Sequence, residues 1–204
     1  MARDDRRGGP ELHVKVRSPD PRPGDDVWEV ILEREDAETA LEYLRRYEYA
    51  SLPHVTLALL WLTVMRMGAA HALDVDDYSP EDQWFAVVYP PEQGTTISHG
   101  ERRGRLVALC SQLCLHLNGW HRNRRPDETD EYGREPLLTT SQGRASKSAV
   151  RSYSYPYTQP CVYGAECPHG WSPDECEAAT SDHRSKCPSI VYPHAIRGVV
   201  SRTT

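Results

Sequence analysis

The chain has 204 residues, which is enough to bury one hydrophobic core. Its formal net charge of −6 argues against a surface that holds nucleic acid by charge alone, and 16 prolines with 13 glycines indicate many loops. Of the 24 lysines and arginines, only Lys15, Lys147 and Lys186 are lysines. This composition suits a protein that works in concentrated salt, where the Debye screening length is about 3 Å at 1 M. Phosphate contacts there must be short, which favours arginine.

No targeting or membrane segment is predicted. The N-terminal residues 1–7 are mostly charged, and no apolar segment follows them as in a signal peptide. The longest apolar run is too short to span a bilayer. We therefore expect a soluble, cytoplasmic protein without a membrane partner. In that compartment, the six cysteines are expected to be thiols or metal ligands rather than disulfides.

Residues 1–35 are polar and rich in Pro, Gly and Asp, which predicts a flexible arm with at most a short strand at 28–32. Asp36 is placed to cap a helix over residues 37–47. The apolar face of this helix is expected to contain Ala37, Ala40, Leu41, Leu44 and Tyr47.

The most apolar stretch lies at residues 58–74. Residues 55–67 are apolar nearly all round, which predicts a buried helix that stops at Gly68. Arg66 near its end requires a partner, because burying an unpaired charge is costly. Either it reaches the surface or pairs with Asp74 or Asp76, or it is a rigidly mounted phosphate ligand. The acidic cluster Asp74, Asp76 and Asp77 is better explained by turn or capping roles than by a cation site.

The middle of the chain predicts a small antiparallel sheet followed by a helix. Strands are expected at residues 84–89, 95–98 and 105–109. Apolar residues at helical spacing then predict a helix that reaches Trp120. Cys110 and Cys114 on this helix are interpreted as small core residues rather than half of a metal site. A loop at 137–144 then leads into a capped helix at 146–151.

Four cysteines follow, Cys161, Cys167, Cys176 and Cys187, with the spacing C-x5-C-x8-C-x10-C. The segment around them, at about 160–188, has almost no aliphatic residues and cannot be held together by burial. Four thiolates around one structural zinc would hold it. Redox-labile free thiols are the alternative.

Two motifs resemble a known family. Thr63 to Asp77 resembles the first box of the tyrosine recombinases (phage-type integrases), T-G-x-R-x-x-E/A-x-x-x-L-x-x-x-D, with Arg66 at the arginine. His194-Ala195-Ile196-Arg197 resembles the second box, H-x-x-R. The whole of residues 38–197 is similar to integrases of halophilic archaea.

The resemblance implies an α+β, mainly helical catalytic domain with a small antiparallel sheet, covering 36–204 and lacking its final helices. It implies that Arg66, His194 and Arg197 hold one phosphate while a tyrosine attacks, without a catalytic cofactor. It further implies that double-stranded DNA is the partner, with possible self-association on it. Arg144, Lys147 and Arg151, spaced i, i+3 and i+7, are then candidate DNA contacts, with a plain basic surface as the alternative.

The chain also departs from the family. There is no room for the usual N-terminal DNA-clamping domain. The hairpin lacks the lysine that protonates the leaving oxygen; His99 could replace it, whereas Arg102 and Arg103 do not readily release a proton.

No tyrosine follows Arg197, although the family's nucleophile lies well beyond the second box. Codons for residues 198–204, regrouped by one nucleotide, are compatible with the family's continuation Arg-Gly-Ser-Ile-Thr-His-His. A frameshift after Arg197 is therefore a hypothesis.

We thus expect a DNA-binding relative of the integrases that recombine mobile elements, deficient in cleavage. The alternatives are a non-catalytic DNA-binding regulator and a decayed integrase fragment.

Overall fold

The computed structural model describes residues 32–87, 105–172, 174–180 and 187. The helices are α1 (Arg34–Tyr47), α2 (Leu52–Thr63), α3 (Met67–Ala72), α4 (Ser111–Asn123), α5 (Lys147–Ser152), α6 (Ser154–Tyr157) and α7 (Glu177–Thr180), with 3-10 turns at Val75–Asp77 and Pro160–Tyr163. The strands are β1 (Tyr78–Ser79), β2 (Trp84–Val87), β3 (Arg105–Ala108), β4 (Thr139–Thr140) and β5 (Gly143–Arg144).

Helix α1 is amphipathic, and its charges follow the helix dipole, with acidic residues in the first turn and basic residues in the last. Ala37, Ala40 and Leu44 are buried as predicted. Two details of the prediction were wrong. The residue before the helix is Glu33, which makes no side-chain cap, and Tyr47 is 63% exposed.

Helix α2 is the buried helix that the apolar run predicted, and every residue from His54 to Trp61 is buried. The hydroxyl oxygen of Ser51 accepts a hydrogen bond from the backbone N–H of His54 and caps its start. The predicted end at Gly68 was wrong. The helix stops at Thr63, Val64 takes a left-handed conformation, and Gly68 lies inside the separate helix α3.

The sheet has the order β1-β2-β3, and both pairs are antiparallel. Strands β2 and β3 agree with the prediction, whereas residues 95–98 and the greater part of 28–32 lie outside the described residues. Helix α4 begins after β3, at Ser111, and its inward side buries Leu113, Cys114, Leu117 and Trp120. Cys114 is thus a core residue as expected, while Cys110, just before the helix, is exposed.

The main core lies where α1, α2 and α4 meet the sheet. Its fully buried side chains include Leu44, Leu59, Phe85, Leu113 and Leu117. A second cluster joins α2, α4 and α5 through Ala50, Val55, Trp120, Leu138, Ala145 and Val150. The Trp120 indole N–H donates to the carbonyl of Leu137 (2.8 Å), so the largest side chain of this cluster is also satisfied as a donor.

After α4, the chain returns to the first helix. Strands β4 and β5 form a small hairpin, and α5 and α6 follow it. The Tyr157 hydroxyl donates to the carboxylate of Glu48, 109 residues earlier, at 2.8 Å. This contact joins α6 to the end of α1.

Beyond α6, the described segment has short elements and a small buried cluster. Cys176, Ala178 and Cys187 form that cluster, with Tyr155 packed against it. Within the described residues, no helix has the length and apolar character that crossing a membrane requires.

Two histidines are buried between α2 and α4. His54 is fully buried, His116 is 5% exposed, and their ring centroids lie 4.4 Å apart. The Nδ1 atom of His54 accepts a hydrogen bond from the Ala50 N–H (3.0 Å), so the neutral ring carries its proton on Nε2. Burial, together with the nearby His116 and Arg45, lowers the pKa of His54 to about 4. Burial also lowers the pKa of His116.

This arrangement predicts acid destabilisation. In the unfolded chain, His54 titrates near 6.5, so below that pH the unfolded state binds the proton first. The free energy of unfolding should fall as pH decreases from 6.5 to about 4, with His54 contributing at most about 3 kcal/mol to the loss. Urea unfolding curves across this range measure it. His54→Asn keeps an acceptor for Ala50 without titrating and should flatten the profile; an unchanged profile would contradict the assignment.

Candidate functional site

The turn between α2 and α3 fixes the position of the Arg66 backbone. The Thr63 hydroxyl donates to the Leu59 carbonyl (2.6 Å) and accepts from the Met65 N–H (3.2 Å). Between these contacts, Val64 has φ 54° and ψ 25°. A β-branched residue rarely adopts this conformation, which glycine adopts freely.

Arg66 is the residue immediately before α3, and its side chain is exposed. The prediction that it lies inside a buried helix was therefore wrong. Its carbonyl accepts from the N–H groups of Ala69 (2.8 Å) and Ala70 (3.0 Å), which holds its backbone in the first turn of α3. The guanidinium thus starts from a defined position and faces solvent without the cost of burial.

The other end of α3 is held by Arg144. One guanidinium nitrogen donates to the carbonyls of His71 (2.9 Å) and Leu73 (3.2 Å), and the other donates to the carboxylates of Asp74 and Asp130. The Arg144 side chain is 11% exposed. Arg144 therefore donates hydrogen bonds to carbonyls at the helix end that have no partner within the helix.

A second arginine completes this cluster. Arg134 pairs with Asp130 at 2.7 Å and lies 3.9 Å from Asp74. Burial alone raises the pKa of Asp130, but hydrogen bonds from Arg134, Arg144 and backbone N–H groups outweigh it, so the pKa lies well below its usual range. The carboxylate is therefore charged at neutral pH.

The turn and capping interpretation of the acidic cluster is confirmed. The Asp77 carboxylate accepts from the Asp74 N–H (2.9 Å), and the two residues form a reciprocal cap on the 3-10 turn. Asp77 and Leu73 stand at the aspartate and leucine of the first recombinase box. Sequence analysis missed Asp130 and Arg134 altogether, because they lie in a loop without periodicity.

Helix α5 packs against α3 and carries two exposed cations. The Ser146 hydroxyl oxygen accepts from the Ala149 N–H (3.1 Å) and caps α5 as predicted. Lys147 opens the helix, and Arg151 lies in its last turn. Arg144 does not belong to this row, because it lies on β5 and its guanidinium binds within the protein. This geometry gives Arg144 a structural role, and its contact with DNA stays a prediction.

His71 belongs to α3, and the sequence analysis did not single it out. It is half-buried; burial lowers its pKa, and the positive charges of Arg144 and Lys147 lower it further. Helices α3 and α5 pack against each other, which brings the Lys147 charge near His71. The candidate site is therefore the exposed side of α3 and α5, with Arg66, Lys147 and Arg151.

Three predicted residues, His194, Arg197 and His99, lie outside the described residues. Of the residues that are described, no three His, Cys, Asp or Glu are grouped so as to hold a metal ion.

The fold is mixed, about half helical with small antiparallel sheets, and is like that of a recombinase catalytic domain. The chain is similar to XerA recombinase, seen in a crystal structure, with a TM-score of 0.54 and 14% sequence identity. The similarity covers 81% of this chain and 47% of that one, so this chain spans about half the length of XerA recombinase. No protein-family model and no curated protein sequence matches the chain.

The Arg144 cluster predicts a large and specific loss of stability. Arg144→Ala should lower the free energy of unfolding by about 3 kcal/mol, because it removes the donor to two helix-end carbonyls and one of the two arginine partners of Asp74 and Asp130. Arg151→Ala, the same change on an exposed residue, should shift it by no more than about 0.5 kcal/mol. Urea unfolding measures both. A normal stability for Arg144→Ala combined with weaker DNA binding would instead support the predicted DNA contact.

The turn before Arg66 predicts a stabilising substitution. Val64→Gly should raise the free energy of unfolding by about 1 kcal/mol, because glycine relieves the left-handed strain. Leu62→Gly, two residues earlier within α2, should lower it by at least about 1 kcal/mol. Thermal unfolding monitored by circular dichroism compares the two; a loss of stability in Val64→Gly would show that the turn is unstrained.

Proposed function

We propose that this chain is a DNA-binding relative of the tyrosine recombinases, derived from an integrase that inserts or excises a mobile element. Its DNA surface is the exposed side of α3 and α5. Similarity of fold supports the family assignment, and the two recombinase boxes in the sequence support it independently. The partner is double-stranded DNA, bound in the cytoplasm, with self-association on the DNA.

The observation that carries this proposal is the mounting of Arg66. Its backbone is held at the start of α3 by the Thr63 turn, and Arg144 holds the far end of the same short helix. The guanidinium between these two anchors is exposed. A planar, permanently charged group on a fixed backbone is suited to binding a phosphate with two parallel hydrogen bonds.

The proposed role of Arg66 is to neutralise charge on the phosphate at the crossover site. In this proposal, His194 and Arg197 complete the contacts to the same phosphate from the second box. Such donors stabilise charge that develops on phosphoryl oxygens, and no metal ion is required for that step.

Lys147 and Arg151 are proposed to bind backbone phosphates on either side of that position. Both are exposed, and neither side chain makes a hydrogen bond or ion pair with another described residue. Phosphate contacts of this kind give affinity and orientation but do not read the base sequence.

We also propose that binding occurs without efficient strand cleavage. No lysine occurs between Trp84 and Leu109, the stretch where the family's hairpin lysine is expected. Arg105 is a described cation on this stretch, and an arginine does not release a proton at neutral pH. The leaving oxygen would then lack its usual acid.

The DNA surface can be tested by the salt dependence of binding. Fluorescence anisotropy with a labelled duplex, repeated at several salt concentrations, gives the slope of log affinity against log salt. Arg66→Ala, Lys147→Ala and Arg151→Ala should each weaken binding and lower that slope by about one. Arg46→Ala removes the same charge from an exposed position on α1 and should change neither quantity. Equal effects of all four variants would contradict the proposed surface.

A nicked duplex that traps a covalent intermediate separates binding from cleavage. Binding without a trapped complex supports the proposal, and it also fits a non-catalytic regulator that occupies the recombination site. A trapped complex would overturn the proposed deficiency. A broad, non-cooperative melt of the purified chain in high salt would instead indicate a decayed fragment.

A further inference from the structure

Helix α3 has one titratable side chain, His71. The alanines at positions 69, 70 and 72 of this helix are buried, whereas Gly68 and His71 are half-buried. Because residues three apart lie on the same side of a helix, these two share its open side. A Cβ added at Gly68 would meet nothing within 4 Å among the described residues, so there is room for a ligand beside His71.

Two positive charges lie close to His71. Arg144, on β5, donates to the His71 carbonyl at 2.9 Å. Lys147 begins α5, which packs against α3, and its side chain is exposed. Burial lowers the pKa of His71, and the charges of Arg144 and Lys147 lower it further, although the Ala145 carbonyl acts in the opposite direction. The imidazole is therefore neutral at neutral pH in the chain without a ligand.

The carboxylates that follow α3 are largely engaged within the protein. Asp74 accepts from Arg144, and Asp77 accepts from the Asp74 N–H. Asp76 is exposed on the same 3-10 turn. Lys147 makes no hydrogen bond or ion pair with another described residue, so no bound carboxylate offsets its charge.

Helix α2 also packs against α3 but places no charge there. Its single titratable side chain is His54, whose ring contacts His116 of α4. On α5, Arg151 lies one turn beyond Lys147 and adds a further cation. Because the Lys147 charge acts on His71, an anion bound by Lys147 would act on the same ring with the opposite sign.

We infer that His71 takes up a proton from solvent when DNA binds, so that an imidazolium adds to the positive charge that faces the phosphate. The inference rests on the proposed DNA surface of α3 and α5. A phosphate at Lys147 offsets the nearby positive charge and offers the ring an acceptor, and both effects favour the charged imidazole. Because the bound state then holds one more proton than the free state, DNA affinity rises as pH falls. It is highest below the pKa of His71 in the free chain and is lost as pH rises through the higher pKa in the complex.

The pH dependence of DNA binding tests this inference. Fluorescence anisotropy with the labelled duplex at one salt concentration compares about pH 8 with about pH 6, the range in which a histidine changes its charge. The full chain should bind roughly three- to tenfold more tightly at the lower pH. His71→Gln does not titrate and should bind equally at both. His121→Gln removes an exposed histidine from the last turn of α4 and should keep the pH dependence of the unchanged chain.

NMR of the unmodified chain measures the proton uptake directly. The imidazole signal of His71 should titrate at a higher pH with the duplex than without it. A His71 titration that the duplex does not move would overturn the inference, as would the same pH dependence of binding in His71→Gln and the unchanged chain. If Arg66→Ala, Lys147→Ala and Arg151→Ala still weaken binding in that case, the DNA surface stands and only the role of His71 is wrong. If none of the three weakens binding, the DNA surface itself is wrong, and the inference fails with it.

Discussion

The described structure around the candidate site depends on one buried guanidinium. Arg144 binds two carbonyls at the end of α3 and two carboxylates, and so joins a helix, a hairpin and a loop at one point. Each of these pieces is too short to be stable alone; α3 has only six residues. These charged groups are largely shielded from solvent; the Asp130 side chain is 7% exposed. In such surroundings, removing one member of the network is costly.

In this arrangement, two arginines that the sequence analysis both assigned to the DNA side have different surroundings. Arg66 and Arg144 are both arginines near the predicted phosphate site, but one faces solvent and the other is used internally. The internal arginine fixes the helix, and the exposed one is available to a ligand. A short helix held at both ends can present a side chain in one position, which matters more for binding phosphate than the number of nearby cations.

Local patterns predicted the parts of this fold that depend on local burial. The apolar run gave α2, helical spacing gave α1 and α4, and short runs of strand-forming residues gave β2 and β3. The break at Val64 was missed because valine gives no signal of a left-handed turn. The two-residue strands β4 and β5 were missed because they are too short for periodicity. Arg144 was placed on a basic surface because its carboxylate partners lie 70 and 14 residues away, and no local pattern reports such pairing.

The bond between Tyr157 and Glu48 also bears on how the protein is made. Because 109 residues separate its two ends, this contact forms only after the chain between them has left the ribosome. At about 5 to 20 residues per second, synthesis of that stretch takes roughly 5 to 20 seconds. During this time, the end of α1 lacks its contact with Tyr157. Closure of the fold at this point is therefore a late event in synthesis of the protein.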